Sequence, residues 1–125
     1  SQLHARAVAR VAGDARITLI EGDSGIALAR VLADLAEPAL FWLDGHYSAG
    51  HTARGATDTP VREELAAIFA ARALPHVVLI DDARLFGRDP AYPSIDALRA
   101  LLRDARPQYT LEVDADIIRL LPSAA

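Results

Sequence analysis

Apolar positions along the chain follow two rhythms, one helical and one extended. Leu3, Ala7, Val8 and Val11 recur at three- and four-residue steps, so residues 2–12 read as a helix that Gly13-Asp14 ends. Ile17-Thr18-Leu19-Ile20 is a short β-branched run and predicts a strand. Glu21-Gly22-Asp23-Ser24 follows as a turn, in which Asp23 or Ser24 suits the N-cap of a second helix. That helix carries Leu28, Val31, Leu32 and Leu35 on one face and stops before Pro38. Ala39–Leu43 is continuously apolar, the pattern of a strand buried on both faces. A long polar loop over 45–59 leads to Thr59-Pro60, which opens a helix with Val61, Leu65, Ile68 and Phe69 inward. His76–Ile80 is a second buried strand, and residues 83–93 form an irregular loop. Pro93-Ser94 starts a helix with Ile95, Leu98, Leu101 and Leu102 inward. Tyr109–Val113 and Asp116–Leu121 close the chain as a hairpin over Asp114-Ala115.

Helices alternating with strands, then a hairpin, predict one α/β domain over residues 1–125. The expected sheet is mostly parallel with an antiparallel carboxyl-terminal hairpin, and helices lie on both faces. Composition supports a folded domain: 52% of residues are apolar and 24% charged, outside the disordered range. No apolar run approaches the roughly 20 residues of a membrane-spanning helix, so no membrane partner is expected. Net charge is −4 and the arginines are scattered, which argues against a nucleic-acid partner. Without cysteine, disulfides and thiolate metal sites are excluded, and a reducing cytoplasmic setting fits.

In open parallel sheets, ligands bind beyond the carboxyl ends of the strands. Acidic residues gather there: Asp23 after the first strand, Asp44 after the second, Asp81 and Asp82 after the third. Neighbouring strands lie about 4.8 Å apart, close enough for such carboxylates to converge. A cluster of that kind suits a hard cation such as Mg²⁺. An Asp at a strand end also caps the next helix or turn, and both roles stay open here. His46 and His51 in the long loop are candidates for a general base, a metal ligand or a substrate contact. Tyr47, in the same loop, is either a packing residue or a substrate contact. Gly45, Gly50 and Gly55 suit a mobile lid over a small-molecule substrate.

Two segments carry a resemblance. Phe41-Trp-Leu-Asp-Gly-His-Tyr47, followed by Val77-Val-Leu-Ile-Asp-Asp-Ala83, resembles the class I S-adenosylmethionine-dependent methyltransferases. Within that superfamily it is similar to the metal-dependent O-methyltransferases of the macrocin and catechol types. The resemblance implies a Rossmann-like sheet with Asp44, Asp81 and Asp82 as Mg²⁺ ligands. It places Asp44 or His46 near the proton that leaves the acceptor oxygen. It puts Asp23 and Ser24, with Asp44, on the side of the S-adenosylmethionine cofactor, and His51 and Tyr47 toward the substrate. The closing hairpin matches the family's antiparallel last strand.

The resemblance covers only the carboxyl-terminal part of the family's fold. The family's first strand, glycine-rich turn and second strand have no counterpart in these residues, which begin Ser1-Gln2-Leu3. Those elements hold the cofactor, so the chain alone is expected to be inactive. In the family's sheet they lie between the third and fourth strands. The Ile17 strand is therefore expected to pair directly with the Ala39 strand or to borrow strands from another copy. Two other readings of the acidic cluster stand beside this one. The first is a small metal-dependent hydrolase in which the cluster and His46 activate water. The second is a non-catalytic module that dimerises through exposed strand edges.

Overall fold

The computed structural model describes residues 2–44, 61–71, 74–89 and 92–123. Its helices are α1 (Gln2–Val11), α2 (Ser24–Asp34), α3 (Val61–Ala70) and α4 (Ile95–Ala105). Its strands are β1 (Leu40–Leu43), β2 (Val77–Ile80), β3 (Tyr109–Asp114) and β4 (Ile117–Pro122). A short 3₁₀ turn at Ala83–Leu85 follows β2. Among the described residues no helix is long and apolar enough to cross a membrane.

The strands form one open sheet in the order β1-β2-β4-β3. β1 pairs with β2 in parallel, with Leu43 opposite Ile80. β4 enters antiparallel between β2 and β3. One ladder is thus parallel and two are antiparallel, so the sheet is mixed and not mostly parallel as expected. The difference comes from the hairpin: its second strand inserts beside β2 instead of adding at the outer edge.

Side chains alternate across a strand, so the register fixes two faces. One face gathers Leu43, Val78, Ile80, Ile118, Leu120 and Leu111, all buried. Val61, Leu65, Ile68 and Phe69 of α3 and Leu98 and Leu102 of α4 join them in one core. Leu32 of α2 completes it. Phe69 meets the Tyr109 ring edge-on at 5.8 Å, locking α3 to β3. The opposite face contributes nothing to this core. The expectation of helices covering both faces is therefore corrected: α2, α3 and α4 build on one face, and α1 has no buried residue. Leu40 and Trp42 of β1 are 65% and 53% exposed, so β1 is not buried on both sides either.

His76, just before β2, fastens the parallel pair. Its Nδ1 accepts the Ala39 N–H at 2.9 Å, and its ring stands edge-on to Phe41 at 5.1 Å. The Tyr109 hydroxyl donates to the His76 carbonyl at 2.5 Å.

Residues 17–20 are not a strand. They pair with no ladder among the described residues, so the expected pairing with β1 is not found. Ile17, Leu19 and Ile20 are 45%, 37% and 55% exposed. β-Branched residues favour a strand only where a neighbour supplies hydrogen bonds and cover, and this run has neither. Its start is bent instead by local contacts: the Asp14 carboxylate accepts from the Arg16 guanidinium at 2.8 Å, and the Ile17 N–H donates to the Asp14 carbonyl at 3.2 Å.

Candidate functional site

The carboxyl ends of the strands hold two acidic groups. The first lies beyond β2. The Asp81 N–H donates to the Leu43 carbonyl at 3.0 Å, extending the parallel ladder by one residue. Asp44 and Asp81 thus leave the sheet at the same edge, each following its strand. The chain then turns sharply. Asp82 is left-handed, with φ 63°, a conformation that Asp tolerates better than most residues. Its N–H donates to Asp81 Oδ1 at 2.9 Å.

Because β4 lies antiparallel beside β2, the β3–β4 turn reaches the same end of the sheet. Asp116 in that turn is also left-handed, with φ 64°. One carboxylate oxygen from each of Asp81, Asp82 and Asp116 lies within 4.8 Å of the others. Oxygen-only donors at this spacing match the ligand chemistry of a hard cation. A cation is already present in the form of Arg84. Its Nη1 donates to Asp82 Oδ1 at 3.0 Å and also to Asp116 Oδ2. Its backbone N–H donates to Asp116 Oδ1 at 2.8 Å. Arg84 thus pairs with two of the three carboxylates.

The second group lies between the N-termini of α2 and α3. Asp23 is the N-cap of α2, and its Oδ1 accepts from Gly25 N at 2.9 Å and Ile26 N at 3.3 Å. Glu64, in the first turn of α3, is only 8% exposed. Its Oε1 is buried with no hydrogen-bond partner among the described residues. Burial raises its pKa to about 7, and the charges of Asp23, Asp44 and Glu63 push the same way. A hydrogen bond from the Ser24 side chain opposes the rise. Glu64 therefore keeps its proton to higher pH than an ordinary carboxyl.

The sequence-based candidates divide accordingly. Asp81 and Asp82 come together as expected, but Asp116 completes their group and Asp44 does not. Asp44 instead stands within electrostatic reach of Glu64. Asp23 and Ser24 both carry structural duties at the start of α2. His46, Tyr47 and His51, with the glycines of their loop, lie outside the described residues.

Asp116 was hidden because its position depends on where the last strand inserts. The Asp-Ala-Asp turn was the available signal: a hairpin returning beside β2 must place its turn at the carboxyl end. Glu64 gave no distinct signal, since acidic residues are ordinary in a helix's first turn.

Two clefts lined by described residues lie elsewhere. One of about 560 Å³ runs between α4 and β3, lined by Arg99, Arg103 and Glu112 among others. Another of about 390 Å³ separates α2 from α3, with Ala29, Ala33 and Ala67 on its walls. Neither includes Asp44, Asp81, Asp82 or Asp116. Comparison with protein-family models, with curated proteins and with solved structures finds no match for the chain.

Proposed function

We propose that the chain is the carboxyl-terminal part of a class I S-adenosylmethionine-dependent methyltransferase-like domain. In this reading the intact domain transfers a methyl group to a small-molecule hydroxyl with the help of a divalent cation such as Mg²⁺. One observation carries the reading: Asp44 and the Asp81-Asp82 pair end two neighbouring parallel strands in register. The antiparallel last strand supports it further.

The donor chemistry fits the cation. Asp81 and Asp82 are the ligands that the resemblance and the geometry share, and Asp116 offers a third oxygen. When bound, the cation polarises the acceptor hydroxyl and lowers its pKa. The remaining work belongs to the chain. Arg84 competes with a cation for Asp82 and Asp116 and so weakens metal uptake. In this reading Asp44, exposed at the end of β1, accepts the proton of the acceptor hydroxyl.

S-adenosylmethionine does not fit the chain as it stands. Asp23 is engaged as a helix cap, and the Ser24 side chain is engaged with Glu64. The 125 residues hold no glycine-rich turn of the family's kind. In this reading the chain alone is inactive.

Titration calorimetry tests the proposal. Mg²⁺ should give heat that Asp81→Asn and Asp82→Asn abolish. A chain extended upstream through a glycine-rich turn should then bind S-adenosylmethionine. Silence toward Mg²⁺ overturns the metal-assisted reading, and silence of the extended chain toward the cofactor overturns the methyltransferase reading.

The bridging of Asp82 and Asp116 by Arg84 favours one second reading. The acidic group would then be a structural latch that ties the end of β2 to the hairpin turn in a non-catalytic module. Under that reading the same two substitutions lower stability and no metal binds.

A further inference from the structure

Among the described residues Glu64 is the one buried acidic side chain. More than nine-tenths of it is covered, yet its Oε1 meets no hydrogen-bond donor there. A buried carboxylate oxygen without a donor is destabilising, and folded chains leave few of them. The Ser24 side chain hydrogen-bonds the same carboxyl, so a single oxygen is left open.

The surroundings of that oxygen are acidic. Asp23, Asp44 and Glu63 are exposed, and the neighbouring charges that act on Glu64 are theirs, all negative. The first turn of α2 brings two of them to one place: a Cβ on Gly25 would stand 3.2 Å from Asp23 Oδ1 and 3.7 Å from Glu63 Oε2. A buried acceptor with an acidic rim suits a cation that donates hydrogen bonds.

The geometry separates three kinds of cation. A metal ion takes several oxygens around one point. Among the described residues carboxylate oxygens converge in that way at Asp81, Asp82 and Asp116, and the Glu64 group is not so arranged. A guanidinium pairs best with both oxygens of a carboxylate, and Ser24 already engages this one. A primary ammonium is a compact charge with three N–H donors. One donor satisfies the open oxygen, and the rim attracts the charge at longer range.

We propose that Glu64 is the floor of a binding site for a small molecule carrying a primary ammonium group, with Asp23, Asp44 and Glu63 as its anionic rim. The ammonium donates to Oε1 of Glu64, the atom that the chain itself leaves without a donor. The inference goes beyond the methyl-transfer reading and does not depend on it.

The test uses the isotope-labelled chain without metal, at pH 8 and constant ionic strength. n-Propylammonium should shift the amide resonances of Gly25 and Glu64 in a saturable way. Tetramethylammonium has the same charge and no N–H donor, and it should leave them in place. Glu64→Gln keeps the size of the side chain and should weaken binding about ten-fold or more. Asp44→Asn, at an exposed position, should weaken it several-fold. No saturable shift with n-propylammonium overturns the proposal, and so do equal shifts with tetramethylammonium, which would show attraction of charge alone. Resonances that answer to Mg²⁺ and not to the amine overturn it in favour of a metal. Binding indifferent to Glu64→Gln overturns it as well.

Discussion

The backbone N–H of Arg84 donates to Oδ1 of Asp116 at 2.8 Å, joining the turn after β2 to the turn of the hairpin. The Arg84 side chain then reaches both Asp82 and Asp116. Removing it leaves three carboxylate oxygens within 4.8 Å of one another without their cation. Arg84→Ala is therefore expected to bind Mn²⁺ several-fold more tightly than the parent, read by the loss of the free-ion electron paramagnetic resonance signal. Its stability at neutral pH should fall and recover on adding the ion. An Arg84→Ala variant that binds no Mn²⁺ would show that the group is a latch only.

Glu64 predicts a loss of stability as pH rises from about 4.5 to about 7. Its folded pKa of about 7 lies above the ordinary value of 4.5. The native state thus holds the proton more tightly than the unfolded state. The Glu64 contribution is fully present below pH 4.5 and is lost as pH rises through 7. Glu64→Gln removes the ionisation. It should raise stability at pH 8 by about 1–2 kcal/mol, solvent screening included, and change it little near pH 4.5. Urea unfolding at the two pH values measures the difference, and an equal effect at both would rule out the carboxyl as its source.

Local pattern made much of this fold legible. Apolar runs located β1 and β2, and turn residues located the hairpin. Three matters were not local. Ile17–Ile20 has strand composition, but a strand needs a neighbour, and none of the described strands takes that place. The continuous run Ala39–Leu43 shows that both faces of β1 require cover, not that both receive it, and Leu40 and Trp42 remain exposed. The insertion of β4 beside β2 moved Asp116 into the acidic group and followed from sheet order alone. Of the expected metal ligands, Asp81 and Asp82 were legible because each follows directly on an apolar strand.

Asp23 separates a structural role from a cofactor role. Its carboxylate accepts two N–H groups at the start of α2. Asp23→Ala should cost about 1 kcal/mol in a denaturant titration, the usual loss for a helix cap. Asp23→Ser keeps a capping oxygen and should recover most of that loss. If Asp23→Ser is as unstable as Asp23→Ala, the cap is not what the carboxylate provides.

His76 gives the opposite pH limb from Glu64. Its Nδ1 accepts the Ala39 N–H, so the neutral ring carries its proton on Nε2. Burial holds its pKa below the ordinary 6.5, and the nearby Arg106 charge acts in the same direction. The native state binds this proton less readily than the unfolded state. The contribution of His76 is therefore present above pH 6.5 and is lost as pH falls through the lowered value. His76→Asn retains an acceptor of similar reach for Ala39 and cannot ionise, so its stability should lack this acid limb. His76→Ala leaves the Ala39 N–H without its acceptor and should cost about 1–3 kcal/mol at pH 7. Tyr109→Phe removes only the hydroxyl that holds the His76 carbonyl and should cost about 1 kcal/mol at any pH between 5 and 8. Chemical denaturation across that range checks all three, and an acid limb that persists in His76→Asn would assign it to another group.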